Sequence, residues 1–230
     1  MSTKATTCWD LAAAVIPHTP RVLLHGPPGT GKTTYALTAG LRPGQTAVAI
    51  TLTEETPGAE LRGMYVPEGR SFVWHDGPVM GAWRSAARLV INELDHGSGD
   101  VLSLLMALVD DPTTACLTLP TRETVRPAKG FTVIATMNGD PEGLPPALRD
   151  RFPVAIEIDT VHPDAVALLP ADVRQAARAT AVLPAERRVS VRSWTMFAEL
   201  RAVIGSDGAA RAVFGRRATD VLSALRLASA

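Results

Sequence analysis

The sequence predicts an α/β fold: a three-layer sandwich around a five-stranded parallel sheet, followed by a small α-helical lid. Three observations lead to it. Short apolar, β-branched runs alternate with helical stretches as far as Ile158. A glycine-rich loop follows the first of these runs. After Ile158 strands stop, Ala and Arg rise, and Pro163, Pro170 and Pro184 punctuate helical segments, which divides the chain into domains at 1–159 and 160–230.

In chain order, Val22-Leu23-Leu24 forms the heart of a first strand, Arg21 to His25, and a helix from Thr33 to Gly40 follows the glycine loop. The run Thr46 to Thr51 is a second strand. A first interruption, Glu54 to Asp76, is rich in Gly and Pro yet holds Phe72-Val73-Trp74. A helix over Val79 to Ala87 leads into a third strand, Leu89 to Asn92, and a helix over Asp100 to Val109. The second interruption, Ala115 to Lys129, carries Leu117-Thr118-Leu119 and Glu123-Thr124-Val125 as the arms of a hairpin. The fourth strand is Phe131 to Thr136, a short helix spans Pro146 to Asp150, and Val154 to Ile158 is the fifth strand. Lid helices are expected over Pro163 to Leu183, Val191 to Ile204 and Asp207 to Leu227, with Ser190 and Ser206 as caps.

A chain of 230 residues suits one α/β core with a small appendage. Its 23 basic and 23 acidic residues cancel, so no global field favours nucleic acid or an anionic membrane, and direct nucleic-acid binding is not expected. From Thr160 onward ten Arg face six acidic residues, leaving the preceding part net acidic, a distribution that suits head-to-tail packing of copies and solvated helix faces equally. Cys8 and Cys116 lie far apart without metal-ligand spacing, which points to a reducing, cytoplasmic setting. The start Met1-Ser2-Thr3-Lys4 lacks a signal-peptide apolar region, and no run approaches membrane-spanning length.

The glycine loop reads Gly26-Pro27-Pro28-Gly29-Thr30-Gly31-Lys32-Thr33, with Thr34 next, and satisfies the pattern G-x-x-x-x-G-K-[ST] between a strand and a helix. This is the phosphate-binding loop of a P-loop NTPase. Side chains at the glycines would push backbone N–H groups away from phosphates, and some of these positions need φ > 0. Lys32 brings a point charge to the β and γ oxygens of a nucleoside triphosphate, Thr33 offers its hydroxyl to Mg²⁺, and the helix N-terminus adds its dipole.

The third strand ends Asn92-Glu93, at the sheet edge where ligands of α/β proteins bind. Glu93 stands where many P-loop hydrolases keep a water-polarising base. Asn92 replaces the usual Asp, so it brings no charge to Mg²⁺ and predicts weaker metal binding. Asn138 closes the fourth strand and suits orienting a water. Arg149 and Arg151 on the tip of a short helix, and Arg192 at the start of a lid helix, offer forked donors to a phosphoryl group.

Taken together the chain resembles the AAA+ ATPases, and more narrowly the MoxR, CobS, McrB and dynein-related branch, from Arg21 to about Leu200. The resemblance rests on the phosphate loop, on Leu61-Arg62-Gly63-Met64-Tyr65-Val66-Pro67 with Asp76-Gly77-Pro78, on Ile91-Asn92-Glu93-Leu94-Asp95, on Asn138, on Arg149-Asp150-Arg151-Phe152 and on Arg192. It implies that the interruptions are a helix-two insert and a pre-sensor hairpin. It also implies that Lys32 and Thr33 are the Walker A pair, Asn92 and Glu93 the Walker B positions, Asn138 sensor one and Arg192 sensor two. Arg151, with Arg149 second, would be the finger entering a neighbouring subunit's site in a hexameric ring. The implied activity is hydrolysis of ATP to ADP and phosphate to remodel, load or activate a partner protein, through a separate adaptor such as a von Willebrand A domain protein. An ATP-gated scaffold that turns over slowly because of Asn92 is the alternative, and a small-molecule kinase a third reading. His18, His25, His75, His96 and His162 are expected in core or surface roles, and Trp9, Trp74, Trp83 and Trp194 in packing. Tyr65 and Val66 are open to either packing or contact with a client.

Overall fold

The structure, a computed structural model, describes residues 7–181 and 188–229. The first residues and the end of the helix expected to reach Leu183 lie outside the described residues. In chain order the elements are α1 (Cys8–Val15), β1 (Arg21–His25), α2 (Lys32–Thr38), β2 (Ala47–Thr51), α3 (Gly58–Arg62), β3 (Gly63–Glu68), β4 (Ser71–Asp76), α4 (Pro78–Ser85), β5 (Arg88–Asn92) and α5 (Gly99–Leu108). They continue with β6 (Leu117–Thr118), β7 (Thr124–Val125), β8 (Thr132–Thr136), α6 (Pro146–Asp150), β9 (Val154–Glu157), α7 (Pro163–Ala167), α8 (Ala171–Ala181), α9 (Val191–Phe214) and α10 (Ala218–Ser229). Chain contacts divide them into two compact units: the residues up to Gly26 with Lys32–Glu157, and Pro27–Gly31 with the residues from Ile158 onward.

The first unit holds the expected five-stranded parallel sheet, in the order β2-β5-β8-β1-β9. Every residue of β5 and β8 is buried, as their unbroken apolar runs require of strands covered on both faces. Their register, Ile91 opposite Ala135, brings the chain ends after Asn92 and Thr136 side by side at one sheet edge. Leu23, Trp83, Leu89, Ile91, Leu105, Val133 and Phe152 fill the core. Arg88, only 2% exposed, spends its guanidinium on the carbonyls of Ala36, Ala39 and Gly40, so it closes the C-terminus of α2 from the base of β5.

The first interruption folds as α3 and an antiparallel hairpin, with Tyr65 opposite Trp74 and Pro67 opposite Phe72. Tyr65 stacks edge-on against Trp74 at 5.4 Å yet stays 46% exposed, and Phe72 is 71% exposed. The second interruption is the expected hairpin, β6 with β7. Arg84 ties both to α4: its Nε donates to Asp76 at 2.6 Å, and its two terminal nitrogens donate to the Glu123 carboxylate at 2.8 Å each. That forked pairing holds the Glu123 carboxyl below its ordinary pKa.

The second unit is helical, packed around Leu169, Val173, Trp194, Phe197, Ala209 and Val221. Its helices are cut differently from the expectation. Pro170 has no N–H and disfavours helical φ/ψ at Leu169, so the first lid helix splits into α7 and α8. The second runs on to Phe214 across a break at Gly205 (φ 76°, ψ 165°), one residue before the expected cap Ser206. The third is interrupted at Gly215 (φ 54°) and resumes as α10. Ser190 caps as expected, its Oγ accepting from the Ser193 N–H at 3.1 Å. No helix of the described residues is long and apolar enough to cross a membrane.

Candidate nucleotide site

In the first unit, Lys32 opens α2 and is 7% exposed. Its Nζ donates to the Gly26 carbonyl at 2.8 Å and to Asn138 Oδ1 at 3.3 Å. The Asn138 amide then donates through Nδ2 to Glu93 Oε2 at 2.7 Å. A lysine ammonium, an amide and a carboxylate thus form one chain of hydrogen bonds. Burial pushes the Lys32 pKa down, and the negative charges of Glu93 and Asp95 act against that. Glu93 sits at φ 54°, ψ 50°, a left-handed conformation that costs a side-chain-bearing residue about 1–2 kcal/mol. Strain of that kind collects where a side chain must be aimed rather than packed.

Asn92 ends β5 at 7% exposure, and its Oδ1 accepts the Thr136 hydroxyl at 3.2 Å. Thr33 and Thr34 are exposed in the first turn of α2. Just beyond Glu93, a single 3-10 turn over Leu94–His96 buries Leu94 and brings Glu93, Asp95 and His96 together, their ligand-type atoms within 4.8 Å of one another. Spacing searches for His or Cys pairs miss such a group because it lies within one turn.

Arg149 in the last turn of α6 and Arg151 just after it differ. Arg151 is spent within the fold: Nε donates to the Met106 carbonyl at 3.0 Å, one terminal nitrogen to Ala147 O at 3.0 Å and the other to Asp110 at 3.3 Å. Arg149 is exposed.

In the second unit, Pro27 to Gly31 carry the bend that the sequence demanded. Gly29 and Gly31 lie at φ 75° and 105°, and a Cβ on Gly29 would sit 2.9 Å from Ser190 Cβ, so only glycine fits there. The Thr30 hydroxyl donates to the Pro27 carbonyl at 3.2 Å, and the Thr30 carbonyl accepts from the His162 N–H at 3.0 Å. Pro27 to Thr30 also line a cavity of about 480 Å³ whose other walls include Val161, Val166, Val191 and Trp194. Trp194 is fully buried, its ring edge-on to Phe214 at 5.3 Å, and its indole N–H is buried without a hydrogen-bond partner among the described residues. The packing role expected for this Trp is met, but the cavity and the uncommitted donor carried no sequence signal. Arg192 is exposed in the first turn of α9.

Residues 21–152 match the AAA domain, dynein-related subfamily. Protein NorQ of Paracoccus denitrificans (strain Pd 1222) is 33% identical over 146 residues, which cover 62% of this chain and 53% of NorQ. Midasin of Dictyostelium discoideum is 30% identical over 162 residues, 67% of this chain and 3% of midasin. The chain therefore spans about half of NorQ and a small part of midasin. Among solved structures, NtrX from Brucella abortus superposes with a TM-score of 0.61 at 14% identity, covering 87% of this chain and 51% of that one, a likeness of fold alone. With its phosphate loop, sheet order and more than half of its length inside the matched region, the chain belongs to the dynein-related subfamily of AAA domains, in the MoxR and dynein-related branch of the AAA+ ATPases.

Proposed function

We propose that this AAA+ domain binds ATP on Gly26 to Thr34, hydrolyses it to ADP and phosphate, and uses the cycle to remodel, load or activate a partner protein. The observation that carries this reading is the chain Lys32, Asn138, Glu93, which joins the phosphate lysine to a carboxylate through one amide. A γ-phosphate is a stronger partner for the Lys32 ammonium than an amide oxygen. Its arrival would draw Lys32 away from Asn138 and leave that amide to place a water against Glu93, the general base. Residues 1–159 would form the nucleotide-binding domain and 160–230 the lid, where the cavity beside Pro27 to Thr30 has the volume and apolar walls for a nucleobase. Arg192 would face the phosphates as sensor two.

Mg²⁺ would neutralise charge on the β and γ phosphates. Thr33 and Asn92 are its expected holders, but Asn92 is neutral and its oxygen is engaged by Thr136. Arg149, exposed where Arg151 is bound internally, is the better candidate for a finger entering a neighbouring copy's site in a hexameric ring. The whole assembly's client, adaptor and cytoplasmic setting belong to this proposal. NorQ and midasin are similar in this region only.

The test is steady-state phosphate release by the unaltered chain and by Glu93→Gln, with mass in solution measured with and without a non-hydrolysable ATP analogue. Turnover that falls to background in Glu93→Gln, with assembly driven by the analogue, is expected. The slow-scaffold alternative, favoured by the neutral Asn92, predicts assembly with equal background turnover in both.

A further inference from the structure

We infer that Asp95 supplies the carboxylate that holds the divalent cation of the bound triphosphate, taking over the charge that Asn92 lacks. The inference rests on the ATP-binding reading above. A hard divalent cation seeks oxygen ligands and gains most from ionised ones. At the end of β5 the neutral Asn92 oxygen already accepts the Thr136 hydroxyl. Glu93 is engaged by Asn138. A further anionic group is Asp95, three residues on from Asn92; its side chain is 23% exposed, but its Oδ1 is buried with no hydrogen-bond partner among the described residues.

A carboxylate oxygen sealed from water without a donor is unfavourable by itself, so its position calls for a positive ligand. Two neighbouring basic side chains do not meet that need. His96 approaches the other oxygen, Oδ2, at 3.8 Å, and is itself 57% exposed. Lys32 feels the Asp95 charge but spends hydrogen bonds on Gly26 and Asn138. Asp95 lies within 4.8 Å of a Glu93 ligand-type atom, and Asn138 joins Glu93 to Lys32, the residue next to Thr33. Asp95 therefore supplies the ionised oxygen for an ion at this turn, and Glu93 keeps its role as base. The ion fitting this set is a small oxygen-seeking divalent cation, Mg²⁺ or Mn²⁺.

The experiment titrates Mn²⁺ into the full chain with a non-hydrolysable ATP analogue, reading free Mn²⁺ by electron paramagnetic resonance. Asp95→Asn should weaken Mn²⁺ in the ternary complex by roughly tenfold or more, the size seen when a metal-site partner is lost. Its affinity for the analogue in EDTA should stay unchanged, and Asn92→Asp in the same chain should restore Mn²⁺ binding. Unchanged Mn²⁺ affinity in Asp95→Asn overturns the inference, as does an equal loss of analogue binding in EDTA. A second measurement needs no variant: Fe²⁺ in place of Mn²⁺, with ascorbate and peroxide, cuts backbone beside its ligands. Cutting at residue 95 supports the assignment, and cutting only at 33 and 92 overturns it. If the analogue fails to bind the unaltered chain, the ATP reading itself falls and this assignment with it, an outcome distinct from normal binding that ignores Asp95.

Discussion

In the sheet unit the polar groups at the strand ends are engaged with one another: Lys32 with Gly26 and Asn138, Asn138 with Glu93, and Asn92 with Thr136. In the helical unit the cavity wall instead leaves the Trp194 N–H without an acceptor among the described residues. The contrast teaches where each kind of binding energy is found. A ligand at the first must displace existing hydrogen bonds, so its gain appears as changed geometry around Glu93. A ligand at the second satisfies a donor that had none, so its gain appears as affinity. Substitutions in the sheet unit should therefore act on turnover, and substitutions in the helical unit on binding.

The sharpest way to break this contrast is at α6. Arg149→Ala should lower turnover by roughly 10³ to 10⁵ while leaving monomer stability unchanged, as for other phosphoryl-transfer fingers. Arg151→Ala should instead lower stability by about 1–3 kcal/mol, because the Met106 and Ala147 carbonyls and Asp110 lose their donor. Phosphate release and chemical denaturation on the same two samples distinguish them. If Arg151→Ala loses turnover with full stability, the roles are reversed.

A smaller effect is expected in the helical unit. Trp194→Phe removes the N–H together with part of a fully buried indole, so the free chain should lose roughly 1–3 kcal/mol of stability. Affinity for the ATP analogue should drop by about 1 kcal/mol, the worth of one hydrogen bond, read by titration calorimetry. Equal affinity would mean that the N–H serves no ligand.

The smallest effects lie at the extremes of pH, and in both ranges stability rises with pH. The Arg201 guanidinium holds the Asp172 carboxyl below its usual 3.8, so the pair's stabilisation is complete above that value and fades as pH falls through the depressed pKa. Lys32 is also depressed, but as a base. Between its lowered pKa and 10.5 the folded chain binds fewer protons than the unfolded one, so the sheet unit gains stability as pH rises there. Denaturation midpoints followed across both ranges should move accordingly, and a midpoint flat in alkali would contradict the account of Lys32.

Much of the sheet unit was legible because its signals are local. Unbroken apolar runs marked β5 and β8, and the expectation that some loop glycines need positive φ is met at Gly26, Gly29 and Gly31. The helical unit was harder, since Ala and Arg suit helices throughout and only Pro170, Gly205 and Gly215 mark the breaks. The engaged state of Arg151 was hidden because its partners, Met106 and Asp110, are more than 40 residues away. The Asn92 departure was visible, but the orphaned Asp95 oxygen is a product of burial and needs the folded turn to be seen.

The most direct test of a shared hydrolytic site mixes two inactive variants, Glu93→Gln, which keeps Arg149, and Arg149→Ala, which keeps Glu93. Random mixing in a ring of head-to-tail interfaces rebuilds roughly a quarter of the sites with both groups intact, so phosphate release should reappear on mixing. Release no greater than the sum of the separate variants would contradict the claim that one copy completes the site of the next.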